Sequence, residues 1–427
     1  MGGCCDEPDC NLIADFHFDT DKLPEQWDEL ITDGGGVNTP TSLWDDDGYV
    51  EMKVPDDADR IVRQSKEYYR ARGQKMVRAQ FTAVLNIDTT ASTAAEGSTS
   101  RVGMFDSHDD KTVVAGDVGN AGFFFEYRVT DTTTLPSTVP THPLYVGVRY
   151  GAITAGTDTL IRQDAFNVND LNRNSHISIS DWSKLYTFEI LYNAIGFVEW
   201  AIYLDGERIL LHKEQDISKT INTLPRFNMP ARFEITNTDT AAAGLLHEMR
   251  QFNSSVCVDD KPIFICGIPS NTPYKIKHLS NLTTKLFTVN TMTYEPVFSF
   301  RLKEAFIREP IRLYELLYLV HKKGPFSYAI VRNANLTTGN ASVWIDSGSK
   351  LEYDVTANIA TDATDIVYEQ FVDADCHGGI QYTPSKICVG AAPLTSDIAG
   401  NIDTFTVVIR KQSQLKMTAN FGFRYVI

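Results

Sequence analysis

The amino-acid sequence predicts an all-β protein made of antiparallel strands packed as sandwiches, and three observations carry that prediction. First, residues 182–212, WSKLYTFEILYNAIGFVEWAIYLDGERILLH, alternate with a period of two through three successive runs. Tyr186, Phe188 and Ile190 share one face of the first run, and Val198, Trp200, Ile202 and Leu204 share one face of the second. The third run is reached through Asp205-Gly206, a dipeptide that accepts the positive φ angles of a type I′ hairpin turn. Second, Thr, Tyr and Phe are frequent and stretches of helical period are scarce. Third, short apolar runs recur along the chain between Gly, Pro, Asn and Asp residues that make turns. Aromatic residues on both faces of the 182–212 strands imply a sheet that is covered on both sides.

At 427 residues the chain is long for one domain. Residues 1–59 read as an acidic N-terminal arm, in which Phe16, Phe18 and Trp27 are placed to add a strand or pin the arm to a core. Trp44 and Tyr49–Met52 resume alternation around Asp45-Asp46-Asp47-Gly48, an acid-rich turn that suits a metal-free turn better than a calcium loop. Residues 60–260 form the first sandwich. Its strands are expected at 67–87 (one long strand or a strand pair), 101–105, 122–127, 145–150 and 182–212, with a closing strand at 224–235 entered through Pro225 and Pro230 as an edge or bulge. Pro262, Gly267, Pro269 and Pro273 mark a linker over 261–275. Residues 276–427 then repeat the signature of short strands, at 297–303, 311–321, 328–332, 343–355, 404–410 and 416–425, as a smaller second sandwich.

The charge of −16 is unevenly placed. Residues 1–59 hold seventeen Asp or Glu against Lys22 and Lys53, a local balance of −15. Directly after them come Arg60, Arg63, Lys66, Arg70, Arg72, Lys75 and Arg78, opposed by Glu67. These residues form a strip for an acidic partner, met within the subunit or on a neighbour. The strip is short and the overall field repels phosphate, so nucleic acid is not an expected partner. No apolar run reaches the ~18–20 residues of a membrane span, and no charged-then-apolar stretch marks a cleaved signal. Met1-Gly2-Gly3-Cys4-Cys5 has the glycine and cysteines of a dual-acylation signal, but Asp6 stands where Ser or Thr belongs. Cys4, Cys5, Cys10, Cys257, Cys266, Cys376 and Cys388 complete no tetrahedral metal site. In a reducing compartment they are expected as free thiols, with Cys257–Cys266 and Cys376–Cys388 the spacings open to local disulfides.

No cofactor is expected, because phosphate loops, dinucleotide fingerprints, nucleophile elbows and zinc-protease helices are all absent from the sequence. Glycoside cleavage needs two carboxylates roughly 5–9 Å apart across the sugar. Glu126, Glu189 and Glu199 each stand alone within an aromatic strand, so the chain is not expected to be an enzyme. Tyr68, Tyr69, Tyr127, Tyr145, Tyr150 and Trp182 are the candidates to stack on sugar rings, provided they lie exposed at a sheet rim rather than in the core. Any binding surface is expected on the loops around the 182–212 hairpin, at 106–120, 130–142 and 164–180.

Two blocks carry a resemblance. RVGMFDSHDD, GFFFEY, VGVRYG, the 182–212 hairpin and LPRFNMPARFEI follow one another in the order met in a concanavalin-like (laminin-G-like) sandwich. This is the jelly-roll version found in structural proteins of double-stranded DNA viruses, both phages and large viruses. Arg101, Gly103, Phe105 and Asp106 match the first strand of that pattern, and Phe124, Phe125 and Glu126 the second. Trp182, Trp200, Asp205 and Gly206 match the hairpin, and Pro225, Arg232, Phe233 and Glu234 the strand after it. PVFSFRLKEAFIREPIRLYEL and the final TFTVVIRK…TANFGFRYVI are similar to the segment that follows the sandwich in the same proteins. The resemblance implies a virion component assembled in the host cytoplasm: a minor capsid, decoration or fibre-associated protein. Its implied partners are other capsid or tail proteins, further copies of itself (trimers being common among fibre-like proteins) and a host glycan. A carbohydrate-binding module and a glycoside hydrolase are the alternatives.

Overall fold

In a computed structural model, the described residues of the first part of the chain are 11–19, 21–24, 26–70, 76–88, 98–106, 120–128, 144–151, 157–169, 182–193, 197–215, 228–237 and 247–258. Beyond them the described residues are 276–279, 284–287, 294–307, 312–320, 326–334, 336–337, 344–347, 350–354, 358–359, 365–372, 381–382, 385–386, 394, 396–398, 400–411 and 417–426. The chain divides into two compact units, Met1–Pro262 and Ile263–Ile427. Both are all-β and antiparallel.

In the first unit the strands are β1 (Asn11–His17), β2 (Trp27–Thr32), β3 (Thr41–Asp45), β4 (Tyr49–Val54), β5 (Arg60–Arg70), β6 (Met76–Asp88), β7 (Ser98–Phe105) and β8 (Asn120–Arg128). They continue as β9 (Leu144–Gly151), β10 (Thr157–Arg162), β11 (Tyr186–Asn193), β12 (Phe197–Leu204), β13 (Glu207–Gln215), β14 (Asn228–Asn237) and β15 (His247–Val258). Two sheets result. One runs β13-β12-β11-β6-β15-β4-β3, with β1 also paired to β15; the other runs β10-β9-β8-β7-β14-β5-β2. Their facing sides enclose one hydrophobic core that includes Trp27, Phe81, Phe125, Phe188, Trp200 and Phe233.

The hairpins behave as the alternation requires. Phe188, Ile190, Val198, Trp200 and Ile202 face this core, while Glu189, Glu199 and Tyr203 take the other side of the same sheet. Asp205 and Gly206 both have positive φ, 50° and 84°, as a type I′ turn demands. The Asp45–Gly48 segment is a turn held by the Gly48 N–H on the Asp45 carbonyl and the Asp47 N–H on the Asp45 carboxylate.

Two expectations need correction. Residues 1–59 are not a separate arm: β1 and β4 pair with β15, β3 pairs with β4, and β2 pairs with β5, so this segment supplies strands to both sheets. The 67–87 stretch is the strand pair rather than the single strand, shared between β5 and β6, which lie in different sheets. Residues 224–235 do not close the sandwich. β14 is central between β7 and β5, with Pro230 at a bulge against β5, and the closing strand is β15. β15 escapes alternation analysis because its inward positions include Gln251 and Ser254 and its register slips between Gln251 and Asn253.

The second unit is smaller, and its described residues form a two-stranded sheet and two six-stranded ones. In one, Glu295–Leu302 lies between Leu351–Asp354 and Thr404–Lys411; in the other, Arg312–Val320 pairs with Met417–Val426. Phe298, Phe300, Leu302, Tyr328, Phe405 and Val407 are buried there. Arg312–Val320 is a strand, as the Tyr, Ile and Val content of 311–320 predicts. The cysteines other than Cys257 lie outside the described residues; Cys257 is buried. No helix of the described residues is long and apolar enough to cross a membrane.

Candidate functional site

The chemistry-bearing residues of the first unit collect on the outer faces of its two sheets and at one side of the sandwich. On the β10–β2 sheet, registered cross-strand pairs place Tyr145, Glu126, Arg101 and Glu234 in one row, and Phe124, Gly103, Arg232 and Gln64 in the next. Arg101 Nε donates to Glu126 at 2.6 Å and Arg128 meets the other Glu126 oxygen at 2.6 Å. Arg232 holds Glu234 through Nε and a terminal nitrogen at 3.1 and 2.8 Å, and Arg60 Nε reaches the second Glu234 oxygen at 3.1 Å. Arg149 binds Asp158 in a two-point fork at 2.8 and 3.0 Å. Arg232 also donates to Gln64, whose amide donates to the Tyr68 hydroxyl, and Tyr68 in turn donates to Asp106.

Two phenyl rings lie within this ionic lattice. Arg149 and Arg232 stand over Phe105 at 5.3 and 5.1 Å from the ring centre, and Arg101 over Phe124 at 5.4 Å. Glycine makes the space. A Cβ on Gly147 would sit 2.3 Å from the Phe124 ring, and one on Gly103 would sit 2.3 Å from the Phe123 carbonyl oxygen. Arg101, Gly103, Phe105, Asp106, Phe124, Glu126, Arg232 and Glu234 are therefore one packed assembly. Burial alone would push the Glu234 carboxyl up, but the guanidiniums of Arg232, Arg60, Arg101 and Arg149 outweigh it and hold the group well below the usual carboxylate range.

On the β13–β3 sheet, Glu189 is wholly buried. It accepts from Arg208 on one oxygen and from Gln80 and Tyr203 on the other. Glu199 accepts from Arg208 and Lys213 at 3.1 Å each. Burial, then the adjacent Glu189 charge, pushes the Tyr203 phenol far up, so it stays a hydroxyl donor. Further along, Arg250 donates to Glu248 at 2.6 Å and reaches Glu51 at 3.3 Å, and Lys53 pairs with both carboxyls. Burial and then a hydrogen bond with Glu51 raise the Glu248 carboxyl; in Glu51, the effect of burial is overcome by Lys53 and the group is lowered.

The side of the sandwich bounded by β2 and β3 is tied by Arg63. Its guanidinium is buried, donating to Glu29 at 3.1 Å and to the Lys22 carbonyl at 2.7 Å, and lies 5.3 Å from the Phe18 ring centre. Burial lowers its pKa to about 10 against the pull of Glu29. Ser42 of β3 donates to the same Glu29 oxygen at 2.6 Å, which links the two sheets. Lys66 faces Asp28 at 3.6 Å.

These contacts correct the expected site residues. Two residues of the basic strip meet the acidic segment within the subunit, one of the two arrangements expected, with Arg63 bound to Glu29 and Lys66 facing Asp28; Arg60 instead binds Glu234, and Arg78 lies 3.8 Å from Glu189. The Arg70 side chain, Arg72 and Lys75 lie outside the described residues. Tyr69, Tyr127 and Trp182 are in the core at 2%, 4% and 2% exposure, and Tyr68 is buried under the ionic lattice, so none of the four offers a ring to a sugar. Tyr145 is half-buried, with Arg128 over its ring at 5.6 Å; the Tyr150 side chain is outside the described residues. So is most of the loops at 106–120, 130–142 and 164–180. Among the described residues no group of His, Cys, Asp and Glu is placed to hold a metal ion.

The sequence matches no family model and no curated protein. Solved structures similar to this chain include peanut lectin with a bound nine-residue peptide, at 12% identity, with 57% of this chain and 97% of the lectin covered and a TM-score of 0.34. Basic winged bean lectin with Tn-antigen is 10% identical, over 57% of this chain and 98% of that one, with a TM-score of 0.36. An endo-1,3-β-glucanase from Streptomyces sioyaensis is 11% identical, over 59% and 97%, with a TM-score of 0.36.

Proposed function

We propose that this chain is a non-enzymatic structural protein of a virion, whose β-sandwich units serve assembly with other capsid or tail proteins. One observation supports the non-enzymatic part above the rest. The three strand carboxylates weighed for glycoside cleavage are committed to neighbours: Glu189 and Glu199 accept hydrogen bonds on both oxygens, and Glu126 accepts from Arg101 and is ion-paired with Arg128. A nucleophile or general acid needs a free oxygen facing substrate. The viral part rests on the order of the Arg-x-Gly-x-Phe-Asp, Phe-Phe-Glu and Arg-Phe-Glu strands. Attachment to a host glycan belongs to the same reading through the half-buried Tyr145 and its Arg128 cap.

The test has two arms. Incubated with β-1,3- and β-1,4-glucans, the purified chain is expected to release no reducing ends; turnover abolished by Glu126→Gln or Glu199→Gln overturns the non-enzymatic reading. Antibody labelling and electron microscopy of purified particles are expected to place the chain on the particle. A chain found only outside particles, with particles lacking it unchanged, overturns the structural one.

A further inference from the structure

We propose that the outer edge of β2 is a docking site for an extended, lysine- or arginine-bearing segment of another protein, added as a further strand to the β10–β2 sheet. The proposal rests on the assembly reading and names the surface and the kind of partner it fits.

β2 ends its sheet, with β5 on one side and no described strand on the other. Lys66 N–H donates to the Gln26 carbonyl at 2.8 Å, which sets the phase of the ladder. In an antiparallel pair, successive residues turn their peptide groups alternately toward and away from the partner strand. Asp28, Leu30 and Thr32 therefore address β5, and Trp27, Glu29 and Ile31 point away from it. Trp27 N–H is already taken by the Leu23 carbonyl at 2.9 Å. Glu29 and Ile31 present their peptide groups outward. Glu29 is an exposed residue even though its side chain is only 25% exposed, so its open surface is main chain; Ile31 is 41% exposed.

Sheets usually defend such an edge with lysine, proline or a bulge. The β13 edge of the other sheet follows that rule, with Arg208, Lys213 and a register slip opposite Trp200 and Ala201. β2 has none of these: its sequence is WDELIT, and it pairs with β5 without a slip. Its surroundings are acidic instead. Exposed Asp21 precedes it, and exposed Asp33 and Asp57 sit at its far end, where a Cβ on Gly34 would touch the Asp57 carbonyl. The nearby cations are committed, Lys22 to Glu29 and Lys66 to Asp28.

Charge selects the occupant. A second copy pairing antiparallel on this edge would bring the Asp33 and Asp57 end of each strand against the Asp21 end of the other, like against like. A foreign strand with a basic residue near each end and an apolar residue over Ile31 meets opposite charge and covers the exposed side chain.

The probe is a blocked peptide of alternating threonine and valine with lysine at both ends, set beside a glutamate-ended counterpart and read by fluorescence anisotropy on the full chain. Saturable binding of the lysine peptide and none of the glutamate peptide is expected. Ile31→Pro removes one outward N–H without touching the ladder to β5, and is expected to weaken binding about tenfold. Asp33→Lys with Asp57→Lys leaves the β2 backbone intact and is expected to erase the preference for the lysine peptide. Equal binding of both peptides to the unaltered chain, or a preference unmoved by the double variant, overturns the proposal. Self-association in sedimentation velocity that Ile31→Pro abolishes also overturns it, in favour of a second copy. Particle localisation is read separately, so a chain found on particles that ignores the peptide loses this proposal alone.

Discussion

Replacing Glu234 with Gln is the sharpest probe of the ionic lattice. Glu234 is 4% exposed at its side chain and Arg232 is 0% exposed, so the substitution leaves a guanidinium buried with its charge no longer matched. Removing one partner of a buried pair costs about 3–5 kcal/mol, because the remaining charge keeps its desolvation penalty and loses its compensation. Four of the five tryptophans, Trp27, Trp44, Trp182 and Trp200, lie in the first unit, so tryptophan fluorescence in urea reports on its unfolding. With a slope of about 3 kcal/mol per molar urea, the midpoint should fall by about 1–1.7 M. Arg232→Met added to Glu234→Gln removes the orphaned charge and should recover most of the loss. The pH dependence has a definite sign. A carboxyl lowered in the folded state contributes stability that is present above its unfolded value of about 4.3 and is lost as pH falls through its lower folded value. Glu234→Gln should therefore flatten the acid limb of stability against pH. A midpoint shift below about 0.3 M, or an unchanged acid limb, would refute the view that this lattice is closed and dry.

Other outcomes follow from the same geometry. Gly147→Ala drives a methyl into the Phe124 ring and should destabilise the first unit by about 1–3 kcal/mol, with Phe124→Leu in the same chain restoring part of the loss in urea titrations. Glu248 is raised in the folded state, so the stability tied to its proton is lost as pH rises through its folded value. Glu248→Gln, which keeps the hydrogen bonds without the charge, should melt no lower than the parent at pH 8 by calorimetry. Glu51 is lowered and stabilises above about pH 4.3, so Glu51→Gln should melt about 2–4 °C lower at the same pH.

Strands were legible where one face is apolar and the other polar. β11 to β13 satisfy that rule, and Asp205-Gly206 marks its turn by a conformational need that few other dipeptides meet. β15 breaks the rule at Gln251 and Ser254, polar groups turned into the interior, and its bulge shifts the phase of whatever alternation remains. The acidic character of residues 1–59 suggested an arm, but acids at the margins of β1 to β4 say nothing against pairing, and Phe16, Phe18 and Trp27 are core residues there. The aromatic site residues failed for a related reason. Tyr69 and Tyr127 alternate correctly for a strand, yet alternation alone does not say which face is inward. Conversely, the Arg-x-Gly-x-Phe-Asp pattern proved to be scaffold: Gly103 leaves room for close strand approach and the arginine flanks a phenyl ring, needs that no motif of catalytic chemistry would signal.

The pairing of β1 with β15 also sets an order of events during synthesis. Asn11 meets Val258, and the long β6 meets the same closing strand through Val77 and Val258. At about 5–20 residues per second, the ribosome takes about 12–50 s to deliver β15 after β1 has been made. Through that interval β1 and one side of β6 lack their native partner, and the sheet that contains them has no centre. A chain cut anywhere before residue 247 should therefore be a client for chaperones rather than a shorter folded domain, while the last strand to be added closes the sheet in one step.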